Sequence, residues 1–292
     1  MTNQIRVGVL GLGEASQLMH LPILADNDQK FTVAGVFDVS QSAMRHVCRR
    51  YATAQAYESA EALVQSTEID AVFILTPDNT HSRFLEMAIK ADKHVFLEKP
   101  ACLTVGEIDA AILLADQSDR TVFVAYMRRY SRAFLKAKEL LPPQGEIRTV
   151  RVRDLICEGS FYIAQSRRIH YPNDIDPGVV AQGRTETDTL LKSVVGENAP
   201  DSLKRAYQVL TGLASHSLSA MRELIGMPKR VISATWRLNG ESIVAVFDYG
   251  HFVAVYEAMI DNIARFEARI DVLSDRQQLE VSYDTPWCER VL

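Results

Sequence analysis

Two glycines and one acid carry the first recognisable chemistry in this chain. In Val7-Gly8-Val9-Leu10-Gly11-Leu12-Gly13-Glu14-Ala15-Ser16 an apolar strand runs into a glycine-rich turn and then a helix. Gly11 permits the tight turn, and Gly13 lets the backbone approach an anion with no Cβ in the way. The amides of Glu14 and Ala15, which open the helix, point at a dinucleotide pyrophosphate. Ser16 stands in the third small position. A structural strand-to-helix turn has the same look, so context decides. The next apolar run, Phe31 to Phe37, ends in Asp38, 25 residues beyond Gly13. A carboxylate there accepts hydrogen bonds from the adenosine ribose hydroxyls and repels a 2′-phosphate, which favours NAD over NADP. Asp38 is also placed to cap the helix beginning near Ser40. Strand, glycine turn, helix, strand and acid arrive in the order that favours the ribose role.

The elements that must position these residues are legible as alternating apolar runs and helical stretches. Strands are predicted near 5–10, 31–37, 70–75, 93–97 and 121–125, and helices near 14–25, 41–50, 58–65, 80–91 and 104–117. This is the grammar of an α/β doubly wound parallel sheet covered on both faces, a Rossmann domain over residues 1–125. The pattern changes beyond Ala125. A helix near 132–140 precedes a strand near 146–156, and residues 158–198 show no period, so they read as a loop shaping a substrate pocket or a subunit contact. A long helix near 201–225 is followed by strands near 230–238, 242–249, 251–257, 263–273 and 277–283, with turn signals at Asn239-Gly240 and Tyr249-Gly250. Residues 126–292 are therefore expected to form an α+β domain with an open, mainly antiparallel sheet. Within it, Arg265 to Val272 alternates charged and apolar residues. That charged comb is either a solvated face or pairs across a dimer axis.

Composition bounds the function. With 292 residues, 47% of them hydrophobic and 24% charged, the chain can bury two cores. A net charge of −5 offers no basic face for nucleic acid. No apolar run approaches the roughly 18 residues that cross a bilayer, and the polar start Met1-Thr2-Asn3-Gln4 is no signal peptide, so a cytoplasmic protein without a membrane partner is expected. Cys48, Cys102, Cys157 and Cys288 are scattered without metal or disulfide spacing and read as packing residues, with no metal site.

Two further segments lie at the carboxyl ends of predicted parallel strands, where open α/β sheets bind ligands. They are Asp70-Ala71-Val72-Phe73-Ile74-Leu75-Thr76-Pro77-Asp78-Asn79-Thr80-His81 and Lys93-His94-Val95-Phe96-Leu97-Glu98-Lys99-Pro100. With His20-Leu21-Pro22 and Tyr126-Met127-Arg128-Arg129-Tyr130, they resemble the glucose-fructose oxidoreductase, inositol dehydrogenase and rhizopine-catabolism (Gfo/Idh/MocA) family, strongly over residues 5 to about 157. The resemblance implies an NAD-dependent oxidoreductase acting on a sugar, cyclitol or related polar metabolite. It also implies a homodimer or homotetramer formed through the second-domain sheet. Lys99 matches the family's active-site lysine, able to orient a substrate hydroxyl and exchange its proton, and Pro100 matches the proline that follows a cis peptide bond. Thr76, Pro77 and Glu98 match positions that line the cofactor. Asn79 is a cofactor contact or a helix cap, and His81 a pocket contact or helix-end packing.

His216 matches the family's histidine on the helix facing the nicotinamide, a proton acceptor as hydride leaves the same carbon. The two aspartates that flank that histidine in the family are Gly212 and Ser219 here. This departure keeps open a non-catalytic dinucleotide-binding regulator, and the family also contains members that use the cofactor transiently, such as NAD-dependent glycosidases. Arg128, Arg129, Tyr130, Tyr162, Arg167, His170 and Tyr207 are candidates for holding a polar or carboxylated substrate. The arginines can equally cover the surface with their aliphatic stems. The chain also ends soon after Asp284-Thr285-Pro286, earlier than many members of the family.

Overall fold

A computed structural model describes residues 4–165, 169–285 and 288–291. The chain divides into two compact units, one of residues 1–125 with 163–194 and the other of residues 126–162 with 195–292.

In chain order the first unit carries β1 (Ile5–Leu10), α1 (Leu21–Asp26), β2 (Phe31–Phe37), α2 (Gln41–Arg50), β3 (Gln55–Ala56), α3 (Ala60–Gln65), β4 (Ala71–Ile74), α4 (His81–Lys90), β5 (His94–Leu97), α5 (Val105–Ala115) and β6 (Val122–Val124). The sheet is wholly parallel in the order β3-β2-β1-β4-β5-β6. The order reverses between β1 and β4, the switch point at which doubly wound sheets open a ligand crevice. Alternate side chains of the strands feed two cores. Val7, Val9, Val33 and Val36 pack with Leu21, Leu24, Met44 and Val47. Leu10, Val72, Ile74, Val95 and Leu97 pack with Leu63, Phe84, Leu85 and Ile89. Apolar burial on both faces is what makes these strands continuous apolar runs rather than alternating ones.

The chain then forms α6 (Arg132–Leu140), β7 (Ile147–Cys157), α7 (Gly159–Ala164), α8 (Pro177–Val195), α9 (Asp201–Val209) and α10 (Ser215–Ile225). The strands β8 (Arg230–Arg237), β9 (Ser242–Asp248), β10 (Val253–Asp261), β11 (Phe266–Ser274), β12 (Gln278–Thr285) and β13 (Cys288–Val291) follow. They join β7 in a seven-stranded sheet ordered β13-β12-β11-β7-β10-β9-β8. Every pairing is antiparallel except β7 with β10, so the sheet is mixed. Its core joins Val150, Val152, Ala254, Tyr256 and Ile270 of the sheet to Phe134, Val209, Met221 and Leu224 of the helices. Phe134 is fully buried, and truncating it to Ala would cost about 3–5 kcal/mol.

The expectation for residues 158–198 changes here. Residues 158–198 are not an aperiodic loop, since they contain α7 and α8, and residues 163–194 group with the first unit rather than with the second. The charged comb on β11 pairs within its own sheet, through Arg153–Glu267 at 2.9 Å, Arg269–Asp271 at 2.8 Å and Arg269–Glu280 at 3.0 Å. Asp271 is buried by these contacts.

Candidate cofactor and active site

The glycine turn is shaped as a phosphate cradle must be. Gly11 holds φ +89, and a Cβ there would stand 2.7 Å from the Leu75 carbonyl oxygen. Its amide donates to the Phe37 carbonyl at 2.9 Å, which ties the turn across to the end of β2. At Gly13 a Cβ would meet nothing within 4 Å, so the bare backbone there borders open space. Ser16 is fully buried between helix and sheet. The chain then passes through a π-helical turn, Ser16–His20, into α1.

Asp38 is held at the end of β2 by two backbone amides. One carboxylate oxygen accepts from the Leu12 amide and the other from the Ser40 amide, each at 2.8 Å. Ser40 itself caps α2, its hydroxyl accepting from the Ala43 amide at 3.0 Å. A carboxylate offers about four acceptor positions, so two remain for ribose hydroxyls. Gly11, Asp38, Thr76 and Pro77 line a cavity of 240 Å³, which α8 borders with Gln182 and Glu186. A glycine cradle, a half-free carboxylate and an adjoining cavity fit the adenosine half of a dinucleotide. A wider depression of 540 Å³ lies at the amino ends of the strands. Its charged residues are engaged with other groups, as in Arg6–Asp70 and Arg120–Asp92, and that end of an open sheet is not where ligands bind.

Beside the turn, Glu14 accepts the Tyr171 hydroxyl at 2.9 Å. Asn79 does not cap α4; its amide donates to Glu186 at 3.0 Å. His81 is a correction to its assignment as a cofactor contact. It is buried, with Nδ1 2.7 Å from the Pro100 carbonyl and Nε2 2.8 Å from the Thr76 carbonyl, so the ring is occupied in tying two strand-end loops together.

Glu98 and Lys99 leave β5 side by side. Glu98 Oε1 lies 2.7 Å from His20 Nε2, and Oε2 accepts the Lys99 amide at 3.0 Å. Burial pushes the Glu98 carboxyl up, but the His20 hydrogen bond and the charges of His20 and Lys99 outweigh it and hold the group below its ordinary value. Lys99 is half-buried, and the Lys99-Pro100 bond is cis.

In the second unit, His216 is half-buried at the start of α10, two residues past a π-helical turn, Leu210–Ala214, that contains Gly212. Such turns shift helical register by a residue and recur at functional sites. Ser219, at the second departed position, spends its hydroxyl on the His216 carbonyl at 2.9 Å.

Arg128 is a second correction. Its side chain is 2% exposed and its guanidinium bonds Asp154 at 2.6 Å, so it is a core ion pair and not a free donor for substrate. Asp154 also accepts the hydroxyls of Ser217 and Tyr256, each at 2.9 Å. Burial, and then the Asp154 charge, drive the Tyr256 hydroxyl well above its ordinary range. Arg129 pairs with Glu223 at 3.0 Å. Tyr130 is exposed and Tyr207 half-buried. Tyr162 packs edge-on against Phe161 and Phe266, and burial raises its hydroxyl to about 12. His170 belongs to the first unit, stacked on His46 at 4.8 Å with its amide bonded to Gln17. That places it among the residues that group with the nucleotide-binding unit. Arg167 lies outside the described residues.

Sequence reasoning missed Gln17, Asp154, Asp174 and Glu186. Their partners lie far away along the chain, with Asp174 and Ser40 134 residues apart and Glu186 and Asn79 107 apart, so no local pattern marks them.

A parallel switch-point sheet with this cradle defines a dinucleotide-binding domain of the Rossmann class. Residues 5–126 match the GFO_IDH_MocA model, described as an oxidoreductase family with an NAD-binding Rossmann fold. This segment, under half of the chain, is thus similar to the nucleotide-binding part of that family. It is 33% identical over 135 residues to the myo-inositol 2-dehydrogenase of Thermotoga maritima, a match covering 46% of this chain and 40% of that protein. It is 27% identical over 254 residues to the scyllo-inositol 2-dehydrogenase (NADP(+)) of Bacillus subtilis, covering 86% of this chain and 60% of that one. The matches thus span between 40% and 60% of these two relatives' lengths. Among solved structures, scyllo-inositol dehydrogenase from Lactobacillus casei with bound NAD(H) and scyllo-inositol gives a TM-score of 0.72 at 19% identity, covering 95% of this chain and 76% of that one. The WlbA dehydrogenase from Bordetella pertussis, in complex with NADH and UDP-GlcNAcA, gives 0.72 at 16%, covering 96% and 80%. At these identities the likeness is one of fold.

Proposed function

We propose that this protein is an NAD-dependent oxidoreductase that moves a hydride between nicotinamide and the carbinol carbon of a sugar, cyclitol or related polar metabolite. The observation that carries the reading is the Gly11–Gly13 cradle facing Asp38, whose carboxylate keeps acceptor capacity for ribose hydroxyls. The family match over residues 5–126 supports it, as do the dehydrogenase relatives. Bound nicotinamide supplies the hydride acceptor or donor. This chain's residues then bind, orient and handle the proton. Amides of the glycine turn hold the pyrophosphate, and Asp38 selects the ribose. Glu98, fixed by His20, braces Lys99, which orients the substrate hydroxyl and exchanges its proton. On the second unit, His216 is assigned as a proton carrier, a role worth about 10²–10⁴ in rate.

Gly212 and Ser219, where the family carries aspartates, favour a second reading as a non-catalytic dinucleotide-binding regulator. Calorimetric titration with NAD+, NADH, NADP+ and NADPH, followed by a nicotinamide-absorbance screen against sugars, cyclitols and their acids, tests both. NAD binding with turnover supports the dehydrogenase. Tight binding without turnover across the panel supports the regulator, and no binding overturns both.

A further inference from the structure

Residues 169–176 group with the first unit and lie at its nucleotide end. Gln17 is held by His170, accepting its amide at 2.9 Å and donating to its carbonyl at 3.0 Å. Four residues on, the Asp174 carboxylate takes the Ser40 hydroxyl at 2.5 Å, the Ser42 amide at 2.8 Å and the Ser42 hydroxyl at 2.9 Å. Further along, α8 borders the adenosine-sized cavity, and Glu186 meets Asn79.

We propose that Asp174 is a second cofactor-selecting carboxylate, which excludes the 2′-phosphate of NADP by occupying the donors of Ser40 and Ser42. The proposal rests on the dinucleotide reading above. Ser40 joins the two acids, its amide bound by Asp38 and its hydroxyl by Asp174. In a doubly wound fold the acid after β2 holds the ribose 2′-hydroxyl. A phosphate esterified to that oxygen comes within a residue of both carboxylates and finds the nearest neutral donors taken. The donors from Ser40 and then Ser42 also hold the Asp174 carboxyl down to about 2, so it is ionised throughout the working range. Exclusion is thus an added repulsive element that binding of NAD does not require.

The test is calorimetric titration of NAD+ and NADP+ into the full chain, its Asp174→Asn variant and its Asp174→Ser variant, with thermal melts to verify folding. Asn keeps the shape of the contact and removes its charge, whereas Ser opens the space. The expected result is a wild type that prefers NAD+, and variants whose Kd for NADP+ falls about tenfold or more, about 1.4 kcal/mol, while that for NAD+ stays within about threefold. An unchanged NADP+ to NAD+ ratio in both folded variants overturns the proposal and leaves the dinucleotide reading standing. So does a wild type that binds NADP+ as tightly as NAD+. A wild type that binds neither dinucleotide overturns both.

Discussion

Gly11 and Gly13 lie two residues apart and answer to different constraints, which makes them separable by substitution. At Gly11 an added methyl meets backbone and the positive φ is unfavourable for any L side chain. Gly11→Ala should therefore lower stability by about 1–3 kcal/mol, read from denaturant melts, as well as abolish dinucleotide binding. At Gly13 the methyl enters open space, so Gly13→Ala should melt within about 0.5 kcal/mol of wild type yet bind dinucleotide more weakly by calorimetry. Equal destabilisation of both would contradict the cradle. Glu98 offers a pH test. Its carboxyl lies below the ordinary 4.5 in the folded protein, so its ionised form stabilises the fold above that pH, and the contribution is lost as pH falls through the lowered value. The stability advantage of wild type over Glu98→Gln should hold near neutrality and shrink below about pH 4.5, as followed by melts across the acid range. The glycines and Asp38 were legible because their constraint is local, whereas the engagement of His81 by Pro100 and Thr76 depends on two loops that only folding brings together.

At the level of elements, the Arg128–Asp154 pair anchors the strand β7 to α10 through Ser217. Both charges are shut from water, so removing one strands the other. Arg128→Met or Asp154→Leu alone should each cost about 3–5 kcal/mol, while the two combined should cost markedly less. Denaturant titration of the two singles and the double gives the coupling, and additive losses would show that the pair is not the anchor. The sequence placed every strand of the parallel sheet except the two-residue β3, because apolar runs bounded by turns are a local signal. It did not disclose α8, and the reason is physical. Over Pro177–Val195 only Leu191 is buried, so no apolar stripe of helical period was there to be read.

At the scale of the whole molecule, the two units carry separable expectations. Lys99→Met should keep dinucleotide binding within about threefold and lose turnover by about 10²–10⁴, and His216→Ala should do the same from the other unit. Calorimetry beside nicotinamide absorbance separates these effects, and retained turnover in either variant removes that residue from the proposed chemistry. The sequence by itself determined the doubly wound class, the glycine turn, the acid after β2 and the Glu98-Lys99-Pro100 strand end, since each is written within a few residues and set by backbone geometry or burial period. Only the tertiary structure decided that Arg128 is a core ion pair, that residues 163–194 belong with the nucleotide domain, and that Asp174 sits on Ser40 and Ser42. Those outcomes rest on polar partners far apart along the chain, and a hydrogen bond leaves no periodic trace in the sequence that makes it.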